Sequence, residues 1–166
     1  MPIRGKIKEN EALLNGANVQ IESNILRPEK TALEYAKAIV LYVFNESIIR
    51  FGQALRHEQQ LGELLADMFT DVYIMDSVLA RVTQYVEKND YESNRMCIAQ
   101  IGTAQATQRI TSSARTALLS IVNEHELDKA LTDLEKLSRP AGLRLNLFEL
   151  RRKLADSLYE HGKYML

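Results

Sequence analysis

Apolar residues recur at helical spacing along most of the chain, and the pattern is clearest over residues 61–86. There they follow one another at alternating steps of four and three, which places them on one side of an α-helix. A stripe of this kind is typical of the seam between packed helices. The seam residues are Leu61, Leu65, Met68, Val72, Met75, Leu79, Val82 and Val86.

Helices are also predicted on both sides of this seam helix. A first long helix is expected to begin at Pro28, because proline suits the first helical turn, and to end near Gly52. A helix over residues 92–122 follows the seam helix, and its small inward residues would let the two backbones approach closely. Those inward residues are Ala99, Gly102, Thr103, Ala106, Ile110, Ala114, Ala117 and Ile121, with Gly102 set against Leu79.

Two shorter helices complete the predicted order. One covers residues 124–138 and is broken by Pro140 and Gly142; the other begins after Asn146, which forms a capping box with Glu149. Residues 1–27 are predicted to be a lead-in segment with only a short amphipathic piece at residues 9–14. Residues 28–166 are predicted to form one all-α, up-and-down bundle of four to five helices.

The first long helix is apolar nearly all round over residues 38–44, whereas a surface helix should show a single stripe. Two interpretations remain open. The helix lies at the centre of the bundle, or it turns a docking face of Leu41, Ile48 and Phe51 toward another domain or a second copy of the chain.

The seam helix carries three aspartates, and a helical wheel separates them. Asp76 points to solvent, whereas Asp71 lies inside the packing face and Asp67 at its edge, and two carboxylates four residues apart repel each other. If the next helix returns after a turn near Asp90, facing residue numbers sum to about 181. Arg109 then lies opposite Asp71 and Arg115 opposite Asp67, so we expect these four residues to form structural ion pairs.

The sequence lacks the motifs of the metal-binding and catalytic sites that such residues would otherwise suggest. A di-metal carboxylate bundle uses Glu-x-x-His, but no glutamate stands three residues before His57, His125 or His161. Glycine-rich phosphate-binding motifs and the nucleophile elbow are also missing from the sequence. Cys97, the one cysteine, fits a small buried side chain. We therefore predict no catalytic, cofactor-binding or metal-binding residues in this chain.

Composition narrows the class of protein further. The chain has 166 residues with 21 basic and 22 acidic side chains, so nothing favours a nucleic-acid partner. Its longest apolar run, residues 38–44, is far shorter than the roughly 20 residues of a membrane-spanning helix. We expect a cytoplasmic protein. The basic cluster of Arg151, Arg152 and Lys153 could touch an anionic membrane surface, but a solvated basic face is favoured.

The seam helix also resembles a known family. The stretch LADMFTDVYIMDSVLAR is similar to the C-terminal helical extension of the very-long-chain type acyl-CoA dehydrogenases, through Leu65-Ala66-Asp67, Asp71 with Tyr73, and Val78-Leu79 with Arg81. Ala80 stands where that family usually has serine. Upstream, RPEKTALEYAKAIV is similar to the entry into the first helix of the extension.

The resemblance implies an accessory, non-catalytic domain of an FAD-dependent enzyme of fatty-acid β-oxidation. In that family the flavin, the acyl-CoA pocket and the catalytic glutamate belong to the dehydrogenase core. The expected partner is thus a core in the same parent chain or a separate subunit, with FAD bound there and subunit contacts in an oligomer. The alternative is an independent structural or adaptor bundle that self-associates.

Overall fold

The computed structural model describes residues 2–88 and 93–161, with side chains for residues 8–88 and 94–160, and the regular elements in them are helices. The predicted all-α bundle is confirmed. It contains six α-helices among the described residues, one more than the largest number predicted. They are α1 Pro2–Leu14, α2 Arg27–Phe51, α3 Gln59–Lys88, α4 Ser93–Ile121, α5 Glu124–Ala141 and α6 Leu147–His161, with a 3₁₀ helix Gly52–His57 between α2 and α3.

The ends of α2 follow from proline and glycine chemistry. The helix begins one residue before Pro28, where the missing N–H of proline leaves no hydrogen bond unmade. It ends at Phe51, and the capping residue Gly52 has a φ of 53°, which is easily reached only without a side chain; the Gly52 N–H donates to the Ile48 carbonyl oxygen. The predicted start near Pro28 and end near Gly52 are both confirmed.

Helices α3 and α4 pack against each other and contribute much of the core. Six of the eight predicted seam residues are buried, and Val72 and Val86 are half-buried. The predicted turn residue Asp90 lies outside the described residues. The small inward residues of α4 are buried except Gly102, which is exposed and where an added Cβ would meet no atom. The prediction that Gly102 permits a close approach to Leu79 is therefore wrong.

Helix α2 lies at the centre of the bundle, because it packs against α1, α3, α4 and α5. This central position accounts for the apolar character of residues 38–44 nearly all round the helix. Burying the apolar surface of α2 against several neighbours is a main stabilising contribution to the fold. Its buried apolar residues are Ala32, Leu33, Tyr35, Ala36, Ala38, Ile39, Val40 and Val43.

Helix α1 is longer than the short piece predicted at residues 9–14. It packs against α2 and α5, and the side-chain amide of the buried Asn10 donates a 2.8 Å hydrogen bond to the Ala38 carbonyl oxygen. Gly5 had argued against a long helix, but a glycine costs only about 1 kcal/mol relative to alanine in a helix interior. Contact with the bundle outweighs that cost.

The last two helices end and begin close to the predicted residues. Helix α5 includes Pro140 and ends at Ala141 rather than near residue 138, with the Gly142 N–H donating to the Ser138 carbonyl oxygen at 3.0 Å. Before α6, the Asn146 side-chain oxygen accepts the Glu149 N–H at 3.2 Å, which is half of the predicted capping box. The Glu149 carboxylate instead lies 3.4 Å from the Lys153 ammonium group.

Candidate functional site

Asp71 and Arg109 meet across the packed α3 and α4 helices. Arg109 Nε lies 3.0 Å from Asp71 Oδ2, and Arg109 Nη2 lies 2.5 Å from Asp71 Oδ1. The aspartate side chain is only 13% exposed, whereas that of the arginine is 58% exposed. The hydrogen bond and the charge of Asp71 raise the pKa of Arg109. A two-point contact of this kind orients both side chains and neutralises a mostly buried carboxylate.

The structure does not bring Asp67 and Arg115 together. Asp67 is exposed and lines a shallow groove of about 340 Å³ with Asp71 and Arg109. Arg115 instead lines a different groove, between α4 and the connection from α5 to α6, and no ion pair joins it to Asp67 within the described residues. Arg115 follows Arg109 by six residues, which rotates its side chain by roughly 240° around the axis of α4. Arg115 therefore lies at the predicted position along the helix but points away from Asp67.

Asp76 is exposed as predicted, but it has a partner. Lys37 of α2 places its ammonium nitrogen 3.3 Å from Asp76 Oδ1 and 2.8 Å from Glu34 Oε1. Burial lowers the pKa of Lys37, but the hydrogen bonds and charges of Glu34 and Asp76 outweigh that effect, so the pKa lies above its ordinary value. Asp76 therefore links α2 to α3 at the surface.

The three residues of the predicted docking face lie in different surroundings. Ile48 is exposed near the end of α2. Leu41 is half-buried and borders the grooves on both sides of α1. Phe51 is half-buried and packs against the hydrophobic core. Ile48 and Leu41 thus remain available at the surface, whereas Phe51 already has contacts within the bundle.

An apolar surface extends from α2 onto α3, and its α3 half was not predicted from the sequence. Phe69 packs edge-to-face on Phe44 with ring centroids 6.0 Å apart, and it remains 44% exposed. Tyr73, one turn further along α3, is 73% exposed. We call Leu41, Ile48, Phe69 and Tyr73 the α2–α3 apolar face. Phe69 and Tyr73 stand four residues apart outside the seam, and that spacing was the available signal.

A neighbouring side of α2 meets α5 at a groove of about 360 Å³ in which acidic side chains predominate and which Leu41 also lines. Burial raises the pKa of Glu46, and the nearby Glu126 and Asp133 raise it further, while Lys129 lowers it. Burial also raises the pKa of Tyr42, with added effects of Glu46 and Asp133. The two flanks of α2 are therefore unlike: one is apolar and the other carries carboxylates.

Cys97 is buried, and burial raises the pKa of its thiol, which fits the predicted structural role rather than that of a reactive thiolate. Within residues 2–88 and 93–161, no group of three or more His, Cys, Asp or Glu side chains could hold a metal ion. In the same part of the chain, no helix is both long and apolar enough to cross a membrane.

Comparison with known sequences identifies the class of this helical bundle. The family described as "Acyl-CoA dehydrogenase, C-terminal domain" matches residues 35–136, which include α3, most of α2 and all of α4. The chain belongs to this family of acyl-CoA dehydrogenase C-terminal domains. The matched region contains Asp71, Arg109 and the α2–α3 apolar face.

Two relatives show how this domain compares with longer proteins. A probable acyl-CoA dehydrogenase of Bacillus subtilis (strain 168) is 26% identical over 144 residues, which cover 86% of this chain and 24% of the relative. A crystal structure of acyl-CoA dehydrogenase complexed with FAD, from Bacillus anthracis, has the same fold, with a TM-score of 0.89 and 24% identity. The match covers 100% of this chain and 28% of the Bacillus anthracis chain. The chain thus spans about a quarter of each relative.

Proposed function

We propose that this chain acts as the accessory, non-catalytic C-terminal domain of an FAD-dependent acyl-CoA dehydrogenase. The observation that carries the proposal is the family match over residues 35–136, in a chain that spans only 24% and 28% of two acyl-CoA dehydrogenases. We assign the FAD and the oxidation of acyl-CoA to the other three quarters of such an enzyme. This bundle then supports a flavoprotein without binding the flavin itself.

The α2–α3 apolar face is the surface proposed to pack on the dehydrogenase core. Phe69 and Tyr73 are large aromatic side chains that α3 leaves exposed beside Leu41 and Ile48. Aromatic residues are enriched among the side chains that dominate the binding energy of protein interfaces. The same face would serve in contacts between subunits of an oligomer.

We assign the parent enzyme to the very-long-chain type and to fatty-acid β-oxidation. Support comes from the resemblance in residues 65–81, where Asp71 and Tyr73 occur at the positions of the family motif. Activity of the assembled enzyme should then rise with acyl-chain length from short to very long substrates. A clear preference for short acyl chains would contradict this assignment.

Reconstitution tests the proposed function. The chain purified alone should be colourless and should not oxidise acyl-CoA, and it should bind an FAD-loaded dehydrogenase core from the same organism in calorimetric titration. A yellow, active preparation of the chain alone would refute the proposal. Failure to bind the core, together with a stable dimer of the chain in sedimentation, would instead favour the independent self-associating bundle.

A further inference from the structure

The groove lined by Arg115 lies between α4 and the connection from α5 to α6. Its volume is about 520 Å³. Ala104 and Thr107 of α4 form a buried floor, and Thr107 donates its hydroxyl proton to the Thr103 carbonyl oxygen at 2.9 Å. The groove is therefore a depression with a fixed base, and it contains none of the residues of the α2–α3 apolar face.

Charge in this groove has one sign. Arg115 and Arg139 are its only charged lining residues, and neither forms an ion pair with an acidic side chain in the part of the chain that the structure describes. The groove between α2 and α5 has the opposite character, with four carboxylates and a single lysine. In a chain of net charge −1, two unpaired guanidinium groups at one groove are a local excess of positive charge.

Polar donors and apolar surface both line this groove. Gln108 supplies an amide and Ser112 a hydroxyl, and both groups can donate hydrogen bonds to an anion. Across from them, Leu143, Leu145 and Leu147 present aliphatic side chains. Guanidinium groups bind carboxylates and phosphates through paired N–H donors, while the leucines would be hydrated unless an apolar group covered them.

We propose that this groove binds a small amphiphilic anion, with a phosphate or carboxylate head held by Arg115 and Arg139 and a short alkyl tail resting on the leucines. A ligand that fits only one part of the groove leaves the other part without a partner. Inorganic phosphate would leave the leucines exposed to water, and a neutral alkyl group would leave the guanidinium groups unpaired. The site uses other residues than the proposed contact with a dehydrogenase core.

Calorimetric titration of the whole chain at low salt tests the site, with hexyl phosphate as the probe. We expect saturable binding to one site, with affinity about tenfold or more above that for inorganic phosphate or for 1-hexanol, because each of these lacks half of the interaction. Arg115→Gln and Arg139→Gln should each weaken binding about tenfold. Arg152→Gln, at an exposed arginine of α6 outside the groove, is the matched control and should leave affinity unchanged.

Several outcomes would overturn the proposal. Equal affinity for inorganic phosphate and hexyl phosphate would remove the role of the leucines, and equal affinity for 1-hexanol would remove that of the arginines. Equal weakening by Arg152→Gln would mean that binding follows net charge rather than this groove. Thermal unfolding of each variant by circular dichroism controls for folding, and amide shifts of Ala104 and Thr107 on adding hexyl phosphate locate the site independently. No shift at either amide would place the ligand elsewhere.

Discussion

Helices α2 and α3 are the two most informative elements of the bundle, because both are long and rich in apolar residues yet occupy different positions. Helix α2 packs against α1, α3, α4 and α5, and its apolar residues are buried around most of its circumference. Helix α3 buries one stripe and leaves Phe69, Tyr73 and Ile74 exposed. Apolar content alone does not separate a central helix from a peripheral one, whereas the distribution of apolar residues around the helix does.

The largest expected difference in stability is between substitutions of two isoleucines within α2. Ile39 is fully buried, so Ile39→Ala should lower the free energy of unfolding by roughly 2–5 kcal/mol through lost apolar contact and a cavity. Ile49, at 70% exposure on the same helix, is the matched control, and Ile49→Ala should change stability by less than about 0.5 kcal/mol. Urea denaturation followed by circular dichroism measures both. Equal losses would contradict the central position of α2.

The ion pair between α3 and α4 should give the next largest effect. Arg109→Ala leaves the mostly buried Asp71 carboxylate without its cation, and we expect a loss of roughly 1–2 kcal/mol. Arg115→Ala on the same helix should cost less than about 0.5 kcal/mol, because Arg115 has no ion pair within the described residues. Equal effects of the two substitutions on the denaturation midpoint would refute this difference.

The acidic flank of α2 should be visible in the pH dependence of stability. The pKa of Glu46 is raised in the folded chain, so the folded state binds more protons than the unfolded state. The associated stability is present below the unfolded pKa of about 4.3 and is lost as pH rises through the folded value.

Glu46→Gln removes this titration. At neutral pH the Glu46→Gln variant should be more stable than the native chain by a few tenths of a kcal/mol, because Glu46 is only half-buried. This difference in the free energy of unfolding should fall away toward about pH 4. Melting curves of both chains between about pH 4 and pH 8 provide the measurement. A difference that stays constant with pH would contradict the raised pKa.

The smallest effect is expected at the surface link between α2 and α3. Asp76→Asn breaks the contact with Lys37, but the two side chains are 59% and 36% exposed, so the loss should be below about 0.5 kcal/mol and should shrink in high salt. Thermal melts at low and high salt test this. A loss as large as that of Arg109→Ala would mean that exposure does not decide the strength of these pairs.

The sequence predicted much of this fold because its helices carry strong periodic signals. The seam residues of α3 are mostly buried, and Pro28 and Gly52 mark the ends of α2. The signal for α1 was weak, since Gly5 and many polar residues interrupt its apolar pattern and its contacts with α2 and α5 are not local. Tertiary packing therefore decided the length of α1.

The candidate surfaces were harder to predict, because they depend on the direction of individual side chains. Counting residues along two antiparallel helices placed Arg109 beside Asp71, yet the same count put Arg115 beside Asp67, where it does not lie. The register of two helices gives the position of a residue along the helix axis. Contact also requires that its side chain point toward the neighbouring helix. Phe69 and Tyr73 were missed for a related reason, since burial patterns identify what packs inside and not what stays exposed.

The most direct test of the account is the affinity of this chain for an FAD-loaded dehydrogenase core, compared between two aspartate variants. Tyr73 on α3 and Tyr159 on α6 are 73% and 88% exposed, so neither substitution should unfold the chain. We predict that Tyr73→Asp weakens core binding about tenfold or more while Tyr159→Asp leaves it unchanged. Equal affinities of the two variants, or no binding by the native chain, would contradict docking through the α2–α3 apolar face.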